Sequence, residues 1–201
     1  IDNALLLRGD ALRSEGSFVP EPNGHAYAID LLRQVKNLNQ GKYLYDEVQN
    51  SNPSNFCIGV AGYPEKHFEA PSLKADLKHL KAKVDAGGDY IVTQMFFNNE
   101  HFFKFVDDCR AAGITVPIIP GLKPLTAKSQ LQSIPRNFHL NLPDDLIEAV
   151  EATKTPEAVK QVGVEWCIAQ SKELMAKGVP VLHYYTMSKA DETEQIASAL
   201  F

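Results

Sequence analysis

Short apolar runs alternate along the chain with longer amphipathic stretches, and the alternation occurs five times. The runs are rich in β-branched and small residues, which is typical of strands buried on both faces. The predicted strands cover residues 4–7, 56–61, 90–93, 116–119 and 181–184. No hairpin turn joins neighbouring runs, so the pattern predicts a parallel α/β sheet with right-handed helical crossovers.

Helices are predicted between these strands, because apolar positions recur there at helical spacing. Ser72, Thr155 and either Asn98 or Asn99 stand where N-caps are expected, and Gly113 stands where a helix would end. The predicted helices cover about residues 25–38, 72–87, 99–113, 126–133, 143–152, 155–177 and 192–200.

Two architectures fit this order: an open doubly wound sheet, or a (β/α)8 TIM barrel that lacks about its first three βα units. No Gly-x-Gly-x-x-Gly follows the first strand, which disfavours a dinucleotide-binding Rossmann half. A barrel draws functional residues from the ends of many strands, whereas an open sheet concentrates its ligand at one switch point. Polar or aromatic candidates follow every strand here, which favours the incomplete barrel: Arg8, Asp10, Tyr63, Glu65, His67, Gln94, Lys123, Tyr185 and Thr186.

Composition and charge narrow the function classes. The chain has 201 residues and a net charge of -5, so neither a nucleic-acid partner nor a membrane is expected. It begins one or two residues before a strand, without an initiator Met or a signal-like segment, so we expect it to open inside a single domain spanning residues 1–201. Cys57, Cys109 and Cys167 are widely spaced in apolar patterns and are predicted to be free buried thiols of a cytoplasmic protein.

Three strand-exit residues have a plausible ligand role and an ordinary alternative. We expect Asp10 to be partly desolvated at the mouth of the barrel, where it could contact a ligand; the alternative is a loop acid paired with Arg8. Tyr63 could stack on a conjugated ring, or be a tyrosine at the rim of the core. His67 could donate a hydrogen bond to a ligand, but no second ligand stands at metal-binding spacing, so no metal site is expected.

The second helix and third strand add polar candidates. Asp76, His79 and Lys83 fall on one helical stripe that could bind a phosphate and a ribose; the alternative is a solvated charged face. Gln94 has both donor and acceptor groups for a heterocycle, or is an amide satisfied by the backbone. Motifs of serine hydrolases, zinc proteases and P-loop NTPases are absent from the sequence.

Taken together, the strand-exit motifs resemble the bacterial flavoprotein type of methylenetetrahydrofolate reductase. The matching stretches are LLLRGD at 5–10, AGYPEKHFEA at 61–70, KVDAGG at 83–88, TQMFF at 93–97, IIPG at 118–121 and HYYT at 183–186. The resemblance implies a (β/α)8 barrel that binds FAD at the C-terminal ends of its strands. It also implies ping-pong reduction of 5,10-methylenetetrahydrofolate by NADH or NADPH, in one-carbon metabolism and methionine supply.

Position by position, the resemblance implies roles for individual residues. Catalytic roles fall on Asp10 and Gln94. FAD contacts fall on Arg8, Gly9, Asp10, Tyr27, Ala28, Tyr63, His67, Ala70, Asp76, His79, Ala82 and Lys83. Folate contacts fall on Asp10, Gln94, Gln130, which the resemblance places on a mobile loop over the flavin, and Lys189.

The chain also departs from the family pattern. His79 and Ala82 stand where the family has amide or arginine side chains, and Lys189 replaces an arginine. The resemblance covers roughly the C-terminal two-thirds of a barrel, so the family's proton-donating glutamate would lie in the absent units. A homo-oligomer is expected. Two other hypotheses stay open: a non-redox lyase or aldolase with Lys123 as Schiff-base amine, and a catalytically silent flavin- or folate-binding module.

Overall fold

A computed structural model describes residues 2–11, 16–45 and 47–201. It alternates strands and helices, as the apolar pattern predicts. The strands are β1 (Asn3–Leu6), β2 (Cys57–Gly62), β3 (Tyr90–Met95), β4 (Ile118–Leu122) and β5 (His183–Tyr184). The helices are α1 (Ala28–Asn39), α2 (Leu73–Asp85), α3 (Asn99–Ala111), α4 (Gln130–Phe138), α5 (Asp144–Glu151), α6 (Pro156–Ala176) and α7 (Asp191–Leu200).

The five strands form one parallel sheet in the order β1-β2-β3-β4-β5. Each strand pairs with the next one along the chain, so every crossover runs in the same direction. The C-terminal ends of all five strands therefore lie on the same side of the sheet. This order confirms the α/β prediction and is consistent with part of a TIM barrel. It disfavours the open doubly wound alternative, whose strand order reverses at a switch point.

The ends of several elements follow from single side chains. The hydroxyl oxygens of Ser72 and Thr155 accept hydrogen bonds from the third residue after each, and the Asn98 side chain accepts one from Glu100 N. The helix predicted at 126–133 instead begins at Gln130. The reason is that Gln130 Oε1 accepts hydrogen bonds from the backbone N–H of Thr126 and Ala127, which holds the preceding residues in a turn.

The apolar core lies between the sheet and its helices in two adjoining clusters. The larger packs β1–β4 against α1, α2, α3 and α6, and the smaller packs the end of β3 against α4, α5 and α6. Burial raises the pKa of the Cys109 and Cys167 thiols to about 12. The prediction that all three thiols are buried is wrong for Cys57, which is exposed because it stands at the first position of β2, before the strand enters the core at Ile58.

None of the described helices has the length and apolar character needed to cross a membrane, and this includes the 21-residue α6.

Helix α6 packs unusually close to the chain after β4. A Cβ at Gly163 would lie 1.9 Å from the carbonyl oxygen of Leu125, which is backbone and cannot rotate away. We therefore expect Gly163→Ala to lower the free energy of unfolding by about 2 kcal/mol, despite the better helix propensity of alanine. Urea unfolding of this variant beside Gly16→Ala, where an added Cβ meets nothing within 4 Å, tests the expectation. Equal stability of the two variants would contradict it.

Candidate functional site

The segment between β2 and α2 forms a compact loop that carries Tyr63 and His67. Lys66 has a left-handed backbone (φ 92°), and its Nζ donates to the carbonyl of Ala70 at 2.6 Å. Within the loop, Ala70 N donates to His67 O at 3.0 Å and Glu69 N donates to His67 Nδ1 at 3.2 Å. These bonds within the loop hold its conformation, and Lys66 can therefore keep its uncommon φ.

Two polar side chains of α2 attach this helix to the loop and the strand before it. Asp76, in the first turn, accepts a hydrogen bond from the backbone N–H of His67 at 2.8 Å. Lys83, in the last turn, donates from Nζ to the carbonyl of Ala61 in β2 at 2.6 Å. The acid and the base stand at the favourable ends of the helix dipole.

Tyr63 is the point on which several elements converge. Its pKa is raised to about 12, mainly by burial and also by the nearby Asp76 carboxylate, Tyr185 and Asp10, whereas Arg8 opposes the shift. These four neighbours come from the ends of β1 and β5 and from α2. The structure therefore brings the exits of non-adjacent strands to one place, as the strand-exit pattern predicts.

His67 lies beside Tyr63, with their rings 4.6 Å apart in an edge-to-face arrangement. Burial lowers the pKa of His67, Arg8 and Lys83 lower it further, and Glu69 and Asp76 oppose them. The imidazole is therefore held toward its neutral form, which suits a hydrogen-bonding role.

The residues after β1 are less buried than the sequence predicts. Arg8 pairs with Glu69 at 2.6 Å and lies 4.9 Å from the ring centroid of Phe18. Gly9 and Asp10 are exposed, so the expectation of a partly desolvated Asp10 is wrong. The reason is that β1 lies at the edge of the five-stranded sheet, and Arg8 takes Glu69 as its partner instead of Asp10.

A cavity of about 470 Å³ opens beside this cluster, between α2 and α3. Tyr63, Asp76 and Lys83 line it together with apolar side chains that include Leu77 and Phe105. Burial lowers the pKa of Lys83 from 10.5 to about 8, against the opposing charge of Asp76. The stripe on α2 therefore divides: Asp76 and Lys83 face the protein, whereas His79 and Ala82 are exposed.

Other predicted contacts lie apart from the Tyr63 cluster. Tyr27 is the N-cap residue of α1, 62% exposed, and Ala28 is the first residue of that helix. Among the described residues, no side-chain hydrogen bond or ring pair joins them to Tyr63 or His67. Ala70, in contrast, is buried at the end of the loop, where Lys66 binds its carbonyl.

The residues predicted to contact folate also lie on separate elements of the fold. Gln94 lies inside β3, next to a register irregularity against β4, and its Oε1 accepts a hydrogen bond from Met95 N at 2.9 Å. Gln130 is the first residue of α4, not a loop residue. Lys189 is exposed after β5, and its charge acts on Glu192 and Lys123. Burial lowers the pKa of Lys123, one residue after β4.

Three residues that make contacts of the loop, Glu69, His101 and Asn141, could not be singled out from the sequence. Glu69 pairs with Arg8 across 61 positions, and Glu65 contacts His101 and Asn141 far along the chain. Such pairs carry no local spacing signal, because only the parallel sheet brings them together. Glu65 itself is a strand-exit candidate, but its partners have no such signal in the sequence.

The fold and the site define an α/β protein whose polar side chains converge at the C-terminal ends of parallel strands, where barrel enzymes bind their ligands. The family model for methylenetetrahydrofolate reductase matches residues 1–200. The chain belongs to this family.

Relatives from eukaryotes and bacteria bear this out. A probable methylenetetrahydrofolate reductase (NADPH) of Caenorhabditis elegans is 40% identical over 98% of this chain and 28% of its own length. Methylenetetrahydrofolate reductase (NADH) 1 of Arabidopsis thaliana is 37% identical over 94% of this chain and 31% of its own length. The 5,10-methylenetetrahydrofolate reductase of Pectobacterium carotovorum is 34% identical over the whole chain and 60% of its own length. The chain thus spans under a third of the two eukaryotic relatives.

A solved structure shares the fold at 21% identity, with a TM-score of 0.52 over 72% of this chain and 52% of the other. It is an uncharacterised protein from Clostridium thermocellum whose description says that it binds two copies of 5-methyl-5,6,7,8-tetrahydrofolic acid. This likeness supports the fold alone.

The buried ammonium of Lys83 predicts a pH dependence of stability. Its pKa is about 8 in the folded chain and 10.5 as the ordinary value, so between these pH values the unfolded chain binds more protons. The contribution of Lys83 to the free energy of unfolding therefore rises with pH from about 8 to 10.5 and is lost as pH falls through 8. We expect the wild type to gain stability relative to Lys83→Met as pH rises across this window in urea unfolding experiments.

Lys81→Met is the matched control, because Lys81 pairs with Asp85 on the outer side of the same helix. Its stability difference from the wild type should stay nearly constant over the window. A constant difference for Lys83→Met as well would contradict the burial of the Lys83 charge.

Proposed function

We propose that the protein containing this chain reduces 5,10-methylenetetrahydrofolate to 5-methyltetrahydrofolate with NADH or NADPH as donor and FAD as cofactor. The observation that carries the proposal is the convergence of Arg8, Asp10, His67 and Asp76 around Tyr63 at the strand exits. Family membership supports the reaction, because the relatives are named as reductases of this substrate.

The donor set around Tyr63 fits a flavin dinucleotide. A lysine ammonium has three N–H donors, and in the described part of the chain Lys83 uses one of them, on Ala61 O. The others can bind an anionic diphosphate, and Asp76 on the same face can accept from a ribose hydroxyl. The rings of Tyr63 and His67 offer apolar faces to the conjugated ring.

FAD, when bound, carries the hydride between nicotinamide and folate; the protein binds, orients and sets the electrostatics. We propose that Arg8, Gly9, Tyr27, Ala28, Ala70, His79 and Ala82 complete the FAD contacts. The exposed Asp10 would face the folate and influence the electronics of the cofactor. The amide nitrogen of Gln94 would bind the heterocycle. Among the contacts described, only its Oε1 is engaged, as the acceptor of a hydrogen bond from Met95 N.

The two remaining folate contacts are proposed outside the cluster around Tyr63. Lys189 is exposed and positively charged, which suits the carboxylates of the folate tail, although lysine binds them as a point charge and not as a bidentate fork. Gln130 would act from the start of α4, once its bonds to Thr126 and Ala127 are exchanged.

We also propose that residues 1–201 form one domain, corresponding to about the C-terminal two-thirds of a flavin-binding (β/α)8 barrel. The parallel order of the sheet supports this, as does the 60% coverage of the bacterial relative. In this account the proton-donating glutamate comes from preceding βα units. A homo-oligomer and a cytoplasmic location stay predictions.

The lyase alternative depends on Lys123, whose pKa burial lowers at the end of β4. A lowered pKa is expected of a Schiff-base lysine, but desolvation alone explains it equally well, and it does so against the opposing charge of Glu192. Family membership favours the reductase. Borohydride trapping of a carbonyl substrate on Lys123 would reverse this preference.

The proposed role of Asp10 separates the two half-reactions. We expect Asp10→Asn, in the intact protein with FAD, to slow folate-dependent oxidation of the flavin by on the order of tenfold or more. Nicotinamide-dependent reduction should change much less, because Asp10 is proposed to face the folate. Anaerobic stopped-flow absorbance of the flavin measures both rates.

Asp85→Asn removes an exposed carboxylate of α2 and should leave both rates unchanged. Equal slowing of the two half-reactions by Asp10→Asn would show that Asp10 does not distinguish folate from nicotinamide. A wild-type flavin that NADH and NADPH reduce but methylenetetrahydrofolate does not reoxidise would contradict the proposed acceptor.

The proposed contact of Lys83 with the diphosphate predicts how FAD affinity depends on pH. The ammonium loses its proton above a pKa of about 8 in the absence of an anion. Wild-type affinity should therefore be highest below pH 8 and weaken by up to about tenfold per pH unit above it, since the anion favours the charged form. Lys83→Arg keeps its charge, so its affinity should vary much less. Equal pH dependence of both proteins in FAD fluorescence titrations would contradict the contact.

A further inference from the structure

Glu65 is a nearly buried carboxylate at the centre of the loop between Tyr63 and His67. Its side chain is 10% exposed, although it carries a charge and lies in a loop. Neither the proposed flavin contacts nor the proposed folate contacts include it. A buried charge in such a place requires partners, and its partners come from two other elements.

The first partner is Asn141, in the segment between α4 and α5. Glu65 Oε2 accepts from the backbone N–H of Asn141 at 2.8 Å and from its Nδ2 at 2.7 Å. Hydrogen bonds to an ionised acceptor are about twice as strong as neutral ones, and two from one residue also fix its orientation.

The second partner is His101, in the first turn of α3. Its Nδ1 lies 3.3 Å from Glu65 Oε1, with both atoms buried and without an aligned hydrogen bond. The N-terminal end of α3 also favours a carboxylate at this position.

The segment after α4 contacts the loop a second time. The ring of His139 stacks on Phe68 with centroids 4.8 Å apart, and Phe68 in turn stacks on His67 at 4.9 Å. His139 has a left-handed backbone (φ 55°) at the end of α4. The same short segment thus holds both halves of the loop, through Asn141 before His67 and through His139 after it.

We propose that Glu65 is a positioning residue. It fixes the 63–70 loop against α3 and the 139–141 segment, and thereby sets the rings of Tyr63 and His67 for flavin binding. This inference rests on the proposed function for its ligand, but the fixing of the loop is a property of the protein without ligand.

The test combines two readouts on the intact protein: hydrogen–deuterium exchange of the ligand-free form and titration with FAD. In Glu65→Gln the charge is lost. The new amide N–H₂ group must then face either the hydrogen-bond donors of Asn141 or the ring of His101. We expect amide exchange in peptides covering residues 63–70 to rise by about tenfold, and the Kd for FAD to rise by a similar factor. Exchange in β3 and α6 should not change.

Two further variants keep the test decisive. Asn141→Ala removes the Nδ2 bond and leaves the backbone bond, so we expect a smaller rise in the same peptides. Glu165→Gln is the control, since this carboxylate accepts from Gln161 on the exposed face of α6. It should leave both readouts unchanged.

Unchanged exchange of the loop in both Glu65→Gln and Asn141→Ala would overturn the proposal. So would a uniform rise across the protein, which a merely structural role predicts, or a selective rise with unchanged FAD affinity. If the wild type binds no FAD, the proposed function fails on that result, and the exchange data alone decide whether Glu65 fixes the loop.

Discussion

The site depends on the attachment of α2 to the exit of β2 through two polar side chains. Asp76 accepts from His67 N, and Lys83 donates to Ala61 O. One bond uses a backbone carbonyl near the end of β2, and the other uses a backbone N–H of the loop that follows it. Because a buried, unsatisfied polar group costs free energy, these bonds determine where the loop can lie.

This attachment also leaves an incompletely balanced charge beside a cavity. Lys83 lies near Asp76, yet burial still lowers its pKa, which means that desolvation of the ammonium outweighs the attraction of the carboxylate. An anionic group entering the site would reverse that balance. The charge of the neighbouring Arg8 is already balanced by Glu69. An anionic ligand would therefore stabilise the Lys83 ammonium more than the Arg8 guanidinium.

Much of the fold could be predicted from the sequence, because strand runs, helical stripes and caps are local signals. Ser72, Thr155 and Asn98 cap helices as their positions predict, and the strand order follows from βα repetition. The strand-exit residues were found because function at parallel strand ends leaves polar residues after apolar runs.

The rest depends on contacts between distant parts of the chain. The exposure of Asp10 follows from the edge position of β1 and from the pairing of Arg8 with Glu69. The division of the α2 stripe, with Lys83 inside and His79 outside, follows from how the helix is rotated against the sheet. Edge exposure is not encoded in residue spacing, and an apolar stripe defines the buried face of a helix too coarsely to place each polar residue beside it.

The most direct test of the central claim is the visible absorption spectrum of the intact protein, as purified and after incubation with FAD. The arrangement at the strand exits predicts the paired absorption bands of a protein-bound flavin, retained through gel filtration. A protein that stays colourless after incubation with FAD and passes the column without it would contradict the flavin site.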